Sequence, residues 1–542
     1  MKTPACTFPL LAAAVLLTGV VSAAQAASTE RIFIEYAPGA GAMVRDAVVA
    51  EHGVIHYRFD RIDAIAVSLG EAATDRIARN PRVLSMEPDP KRYLAAKPLP
   101  ETASNPYLEQ VEPYGIDHVQ APMAWSEGVD GEGITVCIID TGLAANHEGV
   151  DHEDINDDFV LGGTNQTGQS DWFNDSDGHG THVAGIVTAA DNDVGVIGVS
   201  PGKVSLYIVK IFGDDGLWTQ SSDLVAAAFT CSENGARVIN MSLSGSSGPN
   251  AERKAFEALY NEDGILSVAA ASNDGTRQRV FPASYDSVIS VAATDREMLV
   301  ADFSNQNQWV ELSAPGVGVL SSVPFKPNTW LYVGSEAYAG LPMEFSPYGE
   351  VFGELANGGQ CLPTDLPGDW SGKVILCERG EATFAEKVTL VMAGGGSTAV
   401  IYDNVDEELF SGTLGEAGVW IPTISLSQQD GWALLPKIGE DVTVYSAEPV
   451  PGSGYEAWGG TSMATPHVVG VAALLWSYDS GLTNVQIREA MTATALDLGE
   501  PGRDIAYGYG LVQAYDALQY LSLIHISEPT RRRDSSRMPS SA

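Results

Sequence analysis

The stretch ITVCIID, residues 134–140, is apolar on both faces of an extended chain, with no alternation of polar and apolar residues. Four further runs of this kind are LYIVKIF (206–212), RVINMSL (237–243), ILSVAAA (265–271) and SVISVAA (287–293). Helical segments separate several of them, at 221–234 and 251–260. Strands buried on both faces and alternating with helices are typical of α/β proteins with a doubly wound parallel sheet, in which sites form at the carboxyl ends of the strands.

The composition indicates a globular, acidic protein of several domains. The chain has 542 residues, of which 44% are hydrophobic and 18% charged, and its formal net charge is -40 at pH 7. This length allows roughly three or four domains. The strong negative charge argues against nucleic acid and against anionic membranes as partners, because both would repel the surface, whereas divalent cations would be attracted to it.

The beginning of the chain predicts export. Lys2 precedes an apolar run at 10–21, and a small-residue cleavage site, AQA, ends at Ala26, so we expect residues 1–26 to be a signal peptide of a secreted protein. The run is too short to span a bilayer, and we expect no membrane association. Residues 522–542 break the acidic bias with a cluster of arginines, and we expect them to be an artefactual or disordered tail.

Composition shifts divide the rest of the chain. Residues 31–93 have the pattern of a small open α+β unit with alternating strands and two helices, and a Pro-rich linker follows. The parallel-sheet pattern covers 109–325 and resumes in 452–521. Between these two parts, residues 326–451 are rich in Gly and Pro and have short strands of their own, so we interpret them as an inserted, mainly β domain.

Five cysteines occur in the chain, and Cys6 lies within the expected signal peptide. Cys361 and Cys377 bracket a short polar loop, and export favours a local disulfide between them. Cys137 lies in an apolar strand and Cys231 in a helix. Two buried thiols and a second disulfide both remain possible for this pair.

Three polar residues stand where this architecture would expose them. Asp140 ends the first apolar run, His179 lies between glycines in SDGHGTHVAG, and Ser462 lies in GGTSMATPHVVG, residues 459–470. Each alone has an ordinary structural explanation, as a turn former, a structural histidine or a helix cap. Pro466 cannot donate to the Ser462 carbonyl, which loosens the first turn of that helix.

Together these residues match the needs of nucleophilic catalysis. A serine hydroxyl attacks only when an imidazole takes its proton, and the imidazole needs a carboxylate to orient it and to stabilise its cation. Asn273, just past the run ILSVAAA, could bind a developing oxyanion together with the Ser462 backbone amide. An imidazole base also predicts activity that falls below roughly pH 6, since free histidine titrates near 6.5.

The blocks IIDTG, HGTHVAG and GTSMATPH resemble the three signature blocks of the subtilases, the subtilisin-like serine proteases, in the family's order. The resemblance implies Asp140 as orienting acid, His179 as general base, Ser462 as nucleophile and Asn273 as oxyanion donor. It implies a secreted serine endopeptidase that is made as a zymogen and hydrolyses peptide bonds in proteins or peptides through an acyl-enzyme.

Two alternatives belong to other functional classes. A catalytically inactive binding protein with the subtilase fold would lack at least one catalytic side chain, and none is missing here. A sedolisin, an acid peptidase of the same fold, would have a glutamate base and an aspartate at the oxyanion position, where this chain has His179 and Asn273.

The same resemblance implies how substrate is bound. Ser242, Leu243 and Ser244 match the strand edge that pairs with the substrate backbone. Ser244 and Ser272 each replace a usual glycine of the family. Residues between Asn273 and Phe281 line the main specificity pocket in relatives, and because that loop is short here, side-chain preference cannot be read from it. The dipeptide at 281–282, Phe-Pro, matches a cis-proline position.

A structural calcium site follows from the resemblance as well. The segment ADNDVGVIG resembles a calcium-binding loop, and calcium prefers six to eight oxygen ligands of mixed kind. The implied ligands are Gln110, Asp154, Ala190, Asn192, Val194 and Val196. The alternative is a solvated acidic loop.

The flanking units also resemble subtilase parts. Residues 27–108 correspond to a propeptide and linker, an intramolecular inhibitor whose C-terminal strand occupies the active site, with cleavage between Tyr93 and Glu109. The insert at 326–451 resembles a protease-associated domain. We expect the mature protein to be a monomer.

Overall fold

The structure is a computed structural model. It describes residues 29–95, 97–98, 110–144, 152, 154–213, 216–324, 329–334, 336–343, 345–362, 370–380, 382–405, 412–415, 418–446 and 451–527. The predicted signal peptide therefore lies outside the described residues. Within the described part of the chain, no helix has both the length and the hydropathy needed to cross a membrane.

The N-terminal unit is an antiparallel sheet of four strands, in the order β2-β3-β1-β4, packed against two helices. Its elements are β1 (Thr29–Tyr36), α1 (Gly41–Ala50), β2 (Val54–Phe59), β3 (Ala64–Gly70), α2 (Glu71–Ala78) and β4 (Val83–Pro88). Helix residues Val44, Val48 and Ile77 are buried against Ile34 and Val67 of the sheet. The small open α+β unit predicted from the sequence is present.

Two short strands follow this unit, β5 (Lys91–Leu94) and β6 (Lys97–Pro98). Both pair with strands of the next domain, so they connect the N-terminal unit to it directly.

The central domain is built on a parallel sheet of seven strands in the order β15-β14-β13-β11-β7-β9-β8. The elements before the insert are α3 (Tyr114–His118), α4 (Ala121–Ser126), β7 (Thr135–Asp140), β8 (Val160–Asn165), α5 (His179–Thr188), β9 (Ser205–Lys210), β10 (Thr219–Gln220), α6 (Ser221–Glu233), β11 (Val238–Met241), β12 (Leu243–Ser244), α7 (Asn250–Asn261), β13 (Leu266–Ala270), β14 (Val288–Thr294), β15 (Val310–Pro315) and β16 (Val319–Ser322). The elements after it are β24 (Pro451–Gly459), α10 (Thr461–Tyr478), α11 (Asn484–Thr494) and α12 (Ala514–Ser527).

The predicted doubly wound α/β fold is present. All five apolar runs form strands of the one sheet, and apolar residues of both faces are buried in two clusters, one around α5 and α10 and one around α6 and α7. Because β7 lies between β9 and β11, the Asp140 carboxylate reaches the middle of the sheet's carboxyl edge. Helix α12 (Ala514–Ser527) continues into the predicted tail, which is helical over 522–527, and the rest of that tail lies outside the described residues. Buried Leu521 leads into that last turn, and extending a helix costs less than starting one.

The insert folds as a closed barrel of seven strands in the order β17-β18-β22-β21-β20-β19-β23. Its elements are β17 (Thr329–Val333), β18 (Glu336–Pro342), β19 (Gly349–Asn357), β20 (Val374–Glu378), α8 (Phe384–Ala393), β21 (Thr398–Tyr402), β22 (Thr423–Leu426), α9 (Gln428–Leu434) and β23 (Asp441–Ser446). The mainly β character predicted for this segment is present. Its assignment as a protease-associated domain stays a prediction.

Two disulfides are formed among the described residues. Cys361 pairs with Cys377 across 16 residues, as predicted. Cys137 of β7 pairs with Cys231 of α6 across 94 residues, which decides the alternative that the sequence left open. The second bridge ties the central strand to the helix that covers it.

Candidate active site

The end of strand β7 brings the predicted acid and base together. The Asp140 Oδ1 atom lies 2.7 Å from Nδ1 of His179, and both side chains are almost fully buried. The same oxygen accepts a hydrogen bond from the Thr141 backbone amide at 2.8 Å, which fixes the carboxylate. With Nδ1 held by the carboxylate, Nε2 of His179 is the nitrogen left to take a proton.

The start of helix α5 is fixed by Asp175, a buried residue that the sequence analysis did not single out. Its carboxylate accepts hydrogen bonds from the Gly178 and Thr181 amides at 2.9 and 2.8 Å and from the Thr141 hydroxyl at 2.7 Å. Gly180 packs so closely on the strand-end loop that a Cβ there would lie 2.1 Å from the Gly142 carbonyl oxygen. These contacts set the distance between the helix that carries His179 and the strand that carries the acid.

The electrostatics of the pair favour a basic imidazole. Burial lowers the pKa of His179, but the negative charge of Asp140 and its hydrogen bond outweigh burial, so the pKa lies above its usual range. By contrast, burial without a carboxylate partner lowers the pKa of nearby His182 to about 3. His179 is therefore the histidine of this region that is set to gain a proton. Its raised pKa moves the expected loss of activity to a higher pH than the roughly pH 6 inferred from free histidine.

Ser462 lies at the second position of helix α10 and does not cap it. The N-cap residue is Gly460, and it makes no side-chain capping bond, so the simple cap explanation is wrong. The Ser462 carbonyl, which Pro466 cannot satisfy, accepts a hydrogen bond from the Ser242 hydroxyl at 2.8 Å. The Ser462 hydroxyl donates in return to the Ser242 carbonyl at 2.8 Å.

The expected hydrogen bond from Ser462 to His179 is therefore not formed in this arrangement. Nε2 of His179 is buried and has no hydrogen-bond partner among the described residues. Helix α10 packs against helix α5, so the two side chains start from neighbouring helices. The physical reason for the difference is local: the Ser242 carbonyl offers the hydroxyl an acceptor at the strand edge.

Two donors converge on one carbonyl beside Ser462. The Ala95 carbonyl oxygen accepts hydrogen bonds from Nδ2 of Asn273 at 2.6 Å and from the Ser462 backbone amide at 3.2 Å. Thr461 orients the asparagine, because its amide and its hydroxyl both donate to Asn273 Oδ1 at 2.9 Å. Asn273 and the Ser462 amide, predicted to be the two oxyanion donors, are thus brought together on one carbonyl of the chain itself.

The strands before and after Ala95 both pair with strands of the central domain. Strand β5 lies between two edge strands, with Leu94 opposite Leu243 and Tyr93 opposite Ser244, all antiparallel, and β10 on its other side. The Ala95 amide donates to the Ser242 carbonyl at 3.3 Å. After Ala95, strand β6 pairs with β24. The predicted substrate-binding residues 242–244 therefore contact an extended peptide backbone.

The two serines that replace glycines lie side by side. Ser244 Oγ lies 3.2 Å from Ser272 Oγ, and Ser272 donates to Asp274 at 2.9 Å. Ser272 has a φ of 81°, a left-handed conformation that favours glycine, so the backbone keeps the glycine conformation although the residue has changed. The peptide bond between Phe281 and Pro282 is cis, as predicted.

A family model described as the Subtilase family, Peptidase_S8, matches residues 131–341 and 380–510, more than half of the chain. The chain belongs to the subtilase family. Subtilisin DY of Bacillus licheniformis is 41% identical over 226 residues, which are 41% of this chain and 78% of that protein. An alkaline protease of Shouchella clausii is 33% identical over 268 residues, 49% of this chain and 64% of that protein.

Among solved structures, this subtilase is similar to fervidolysin from Fervidobacterium pennivorans, described as a keratinolytic enzyme related to subtilisin. The TM-score is 0.58 at 22% identity, over 91% of this chain and 61% of that one, a likeness of fold. The family model and the relatives show that this subtilase is a subtilisin-like serine endopeptidase, a hydrolase of peptide bonds.

The loop predicted to bind calcium gathers most of its implied ligands. Nε2 of Gln110 lies 2.7 Å from the Ala190 carbonyl and 3.5 Å from the Val196 carbonyl. Asp154 is fully buried and accepts a hydrogen bond from the Val196 amide at 2.7 Å. The side-chain oxygen of Asn192 accepts a hydrogen bond from the Val194 amide at 3.2 Å, which bends the loop back on itself.

Three residues important to the site escaped the sequence analysis: Asp175, Thr461 and Glu252. Asp175 had a readable signal, an acidic residue just ahead of a helix that begins at His179. Thr461 lies within GTSMATPH, but its bond to Asn273 joins segments 188 residues apart. Glu252 had no signal, because its partner is Arg92 of the N-terminal segment.

Proposed function

We propose that Ser462 is the nucleophile of this endopeptidase, His179 its general base, Asp140 the acid that orients the base, and Asn273 an oxyanion donor. The observation that carries the assignment is the Ala95 carbonyl, held by Asn273 at 2.6 Å and by the Ser462 amide at 3.2 Å. A carbonyl bound by two preorganised donors next to a serine is the arrangement that acyl transfer requires.

The reaction follows from these positions. The Ser462 hydroxyl exchanges the Ser242 carbonyl for Nε2 of His179, gives up its proton there and attacks the carbonyl carbon. The negative charge that develops on oxygen is stabilised by the two donors. His179 then gives the proton to the leaving amine, which leaves an ester on Ser462, and water activated by His179 hydrolyses the ester. Asp140 stabilises the imidazolium throughout, its hydrogen bond being 2.7 Å long.

The enzyme is made as a secreted zymogen that cuts itself, and residues 27–108 act as propeptide and linker. The N-terminal unit shares a buried cluster with the central domain, in which Phe33 and Phe59 meet Val225 and Ala255. Because the Ala95 carbonyl occupies the oxyanion-binding pair, the first bond cut is the one after Ala95, within the interval 93–109 expected from the sequence. Until the N-terminal segment dissociates, its strand β5 blocks the binding of other peptides.

The nucleophile is tested with matched serine variants. Ser462→Ala should stay an uncleaved precursor, whereas Ser480→Ala, an exposed serine beyond the end of α10, should mature normally. In the wild type, an organophosphate should label Ser462 and stop hydrolysis. Maturation of Ser462→Ala at the normal rate, or labelling at another serine, would overturn the assignment.

We also propose that a structural calcium ion binds the loop at 190–196. The donor set fits, since it combines the buried Asp154 carboxylate, the Asn192 side-chain oxygen and the Ala190 and Val196 carbonyls, oxygen ligands of the mixed kind that calcium prefers; Gln110 lies beside them and would offer its amide oxygen in place of the nitrogen that now donates to the Ala190 carbonyl. A Cβ at Gly195 would lie 2.3 Å from Asp154 Oδ2, so glycine there keeps the loop closed around the carboxylate. Chelation should lower the Tm of the wild type and change that of Asp154→Asn much less. An unchanged wild-type Tm would remove the proposal.

A further inference from the structure

The bond that is cut sets the numbering of the bound strand, so this inference rests on the proposed function. If Ala95 is the last residue before the cut, then Leu94, Tyr93 and Arg92 are the second, third and fourth. Side chains alternate along this strand: Tyr93 is 48% exposed, whereas the Arg92 side chain is fully buried. The side chain of Arg92, the fourth residue before the cut, is therefore buried in the protein.

The pocket that receives Arg92 holds a buried carboxylate. Nη2 of Arg92 lies 2.7 and 2.6 Å from the two carboxylate oxygens of Glu252, and both side chains have zero exposure. The same nitrogen donates to the Ser247 carbonyl at 3.0 Å. A cation with several donors is thus matched by a buried carboxylate and a backbone carbonyl.

Groups of the central domain stabilise the negative charge of Glu252. It lies in the first turn of helix α7, where the helix dipole stabilises a negative charge. The Ser221 hydroxyl donates to one of its oxygens, and the Tyr285 hydroxyl lies 3.1 Å from the other. Burial and the nearby carboxylate raise the pKa of Tyr285, so this hydroxyl stays protonated and able to donate.

The entrance of the pocket is shaped for a guanidinium. A Cβ at Gly245 would lie 2.5 Å from the Lys91 carbonyl oxygen and 2.6 Å from Nη1 of Arg92. Any larger residue at 245 would therefore displace either the strand or the side chain. The pocket has room for a planar, charged head because this position is glycine.

When the N-terminal segment leaves, Glu252 loses its cation. A buried carboxylate without a cation is costly, and removing one partner of such a pair is strongly unfavourable. A substrate that brings an arginine to the fourth position restores the pair, and a neutral side chain does not. We propose that Glu252 makes this endopeptidase select substrates with arginine at the fourth residue before the cut. Arg92 of the N-terminal segment is the first arginine that the enzyme binds in this way.

The test uses the mature wild-type enzyme and two tetrapeptide p-nitroanilides, succinyl-Arg-Tyr-Leu-Ala and the same peptide with citrulline in place of arginine. Citrulline keeps the size and removes the charge. Hydrogen bonds between charged groups predict a kcat/KM about 10- to 100-fold higher for the arginine peptide. Equal values for the two peptides would overturn the proposal. If neither peptide is cut, the proposed function fails instead.

Two variants assign the preference to its residue. In Glu252→Gln the arginine-to-citrulline ratio of kcat/KM should fall to about one. Glu257→Gln removes a partly exposed glutamate of the same helix, paired with Arg253, and should keep the wild-type ratio. A Glu252→Gln enzyme that still prefers arginine would place the selectivity elsewhere. Should that variant fail to fold, the comparison of the two peptides on the wild type still decides the proposal.

Discussion

Removing the Asn273 side chain should slow turnover far more than it weakens binding. The Ala95 carbonyl accepts two hydrogen bonds, and Asn273→Ala removes the shorter one, at 2.6 Å, and leaves the Ser462 amide at 3.2 Å. A hydrogen bond to a charged acceptor contributes about 1.5–3 kcal/mol. At 1.36 kcal/mol per factor of ten, this corresponds to a loss of about 10- to 150-fold in kcat. Subtilisin itself loses on the order of 10²–10³ when its oxyanion asparagine is removed, a known value that we adopt to place the expectation near 10².

The assay separates the transition state from the ground state. The substrate carbonyl is neutral when bound and charged only during reaction, so kcat should fall about 10²-fold while KM changes little. Because the variant also matures slowly, the concentration of active enzyme is determined by labelling Ser462 with the organophosphate. Asn234→Ala, beyond the end of α6, serves as the control and should retain kcat. A loss of less than threefold, or a loss that lies wholly in KM, would refute the assigned role of Asn273.

Three further predictions follow from the geometry. Thr461→Val removes the hydroxyl, one of the two donors to Asn273 Oδ1. Because such a hydrogen bond contributes about 1 kcal/mol, kcat should fall several-fold. An unchanged kcat would mean that the Thr461 backbone amide alone orients Asn273. The base must be neutral and its pKa is raised, so kcat/KM should rise with pH along a limb whose midpoint lies above 6.5; a midpoint below that value would contradict the Asp140–His179 pair. Replacing Cys137 and Cys231 by alanine opens a loop of 94 residues and should lower the free energy of unfolding by about 4–5 kcal/mol. The same replacement of Cys361 and Cys377, which are 16 residues apart, should lower it by about 3 kcal/mol. If denaturant unfolding gives the reverse order, the loop-length argument is contradicted.

The sequence was most informative where burial alone decides structure. Runs such as 134–140 and 287–293 formed strands within a residue or two of the predicted bounds, because a strand apolar on both faces has no stable place except inside a covered sheet. Strand β8 (Val160–Asn165) was not predicted, since VLGGTN has two glycines and lies at the edge of the sheet. Edge strands need less apolar surface and therefore leave a weaker pattern.

The site was predictable to the extent that its residues lie in compact motifs. Asp140 ends a buried strand, His179 begins a helix and Asn273 follows a strand; the structure forms the Asp140–His179 hydrogen bond and makes Asn273 a donor, but it does not form the expected bond from Ser462 to His179. The partner of the Ser462 hydroxyl could not be predicted, because it depends on how the Ser242 strand edge approaches helix α10.

Contacts between segments far apart in the chain were beyond any local pattern. The pairing of Cys137 with Cys231, and of Arg92 with Glu252, each joins segments about 90 or more residues apart. Nothing in the sequence around Glu252 distinguishes it from Glu257, the partly exposed glutamate of the same helix. Only the register of strand β5, fixed by Leu94 opposite Leu243, brings Arg92 to it.

The central claim is that the chain presents the bond after Ala95 to Ser462. The most direct measurement is the intact mass of the first N-terminal fragment released during maturation, followed over time by mass spectrometry. The claim predicts a fragment that ends at Ala95, with Ala96 as the first residue of the earliest mature product. A first fragment that ends at any other residue would contradict it.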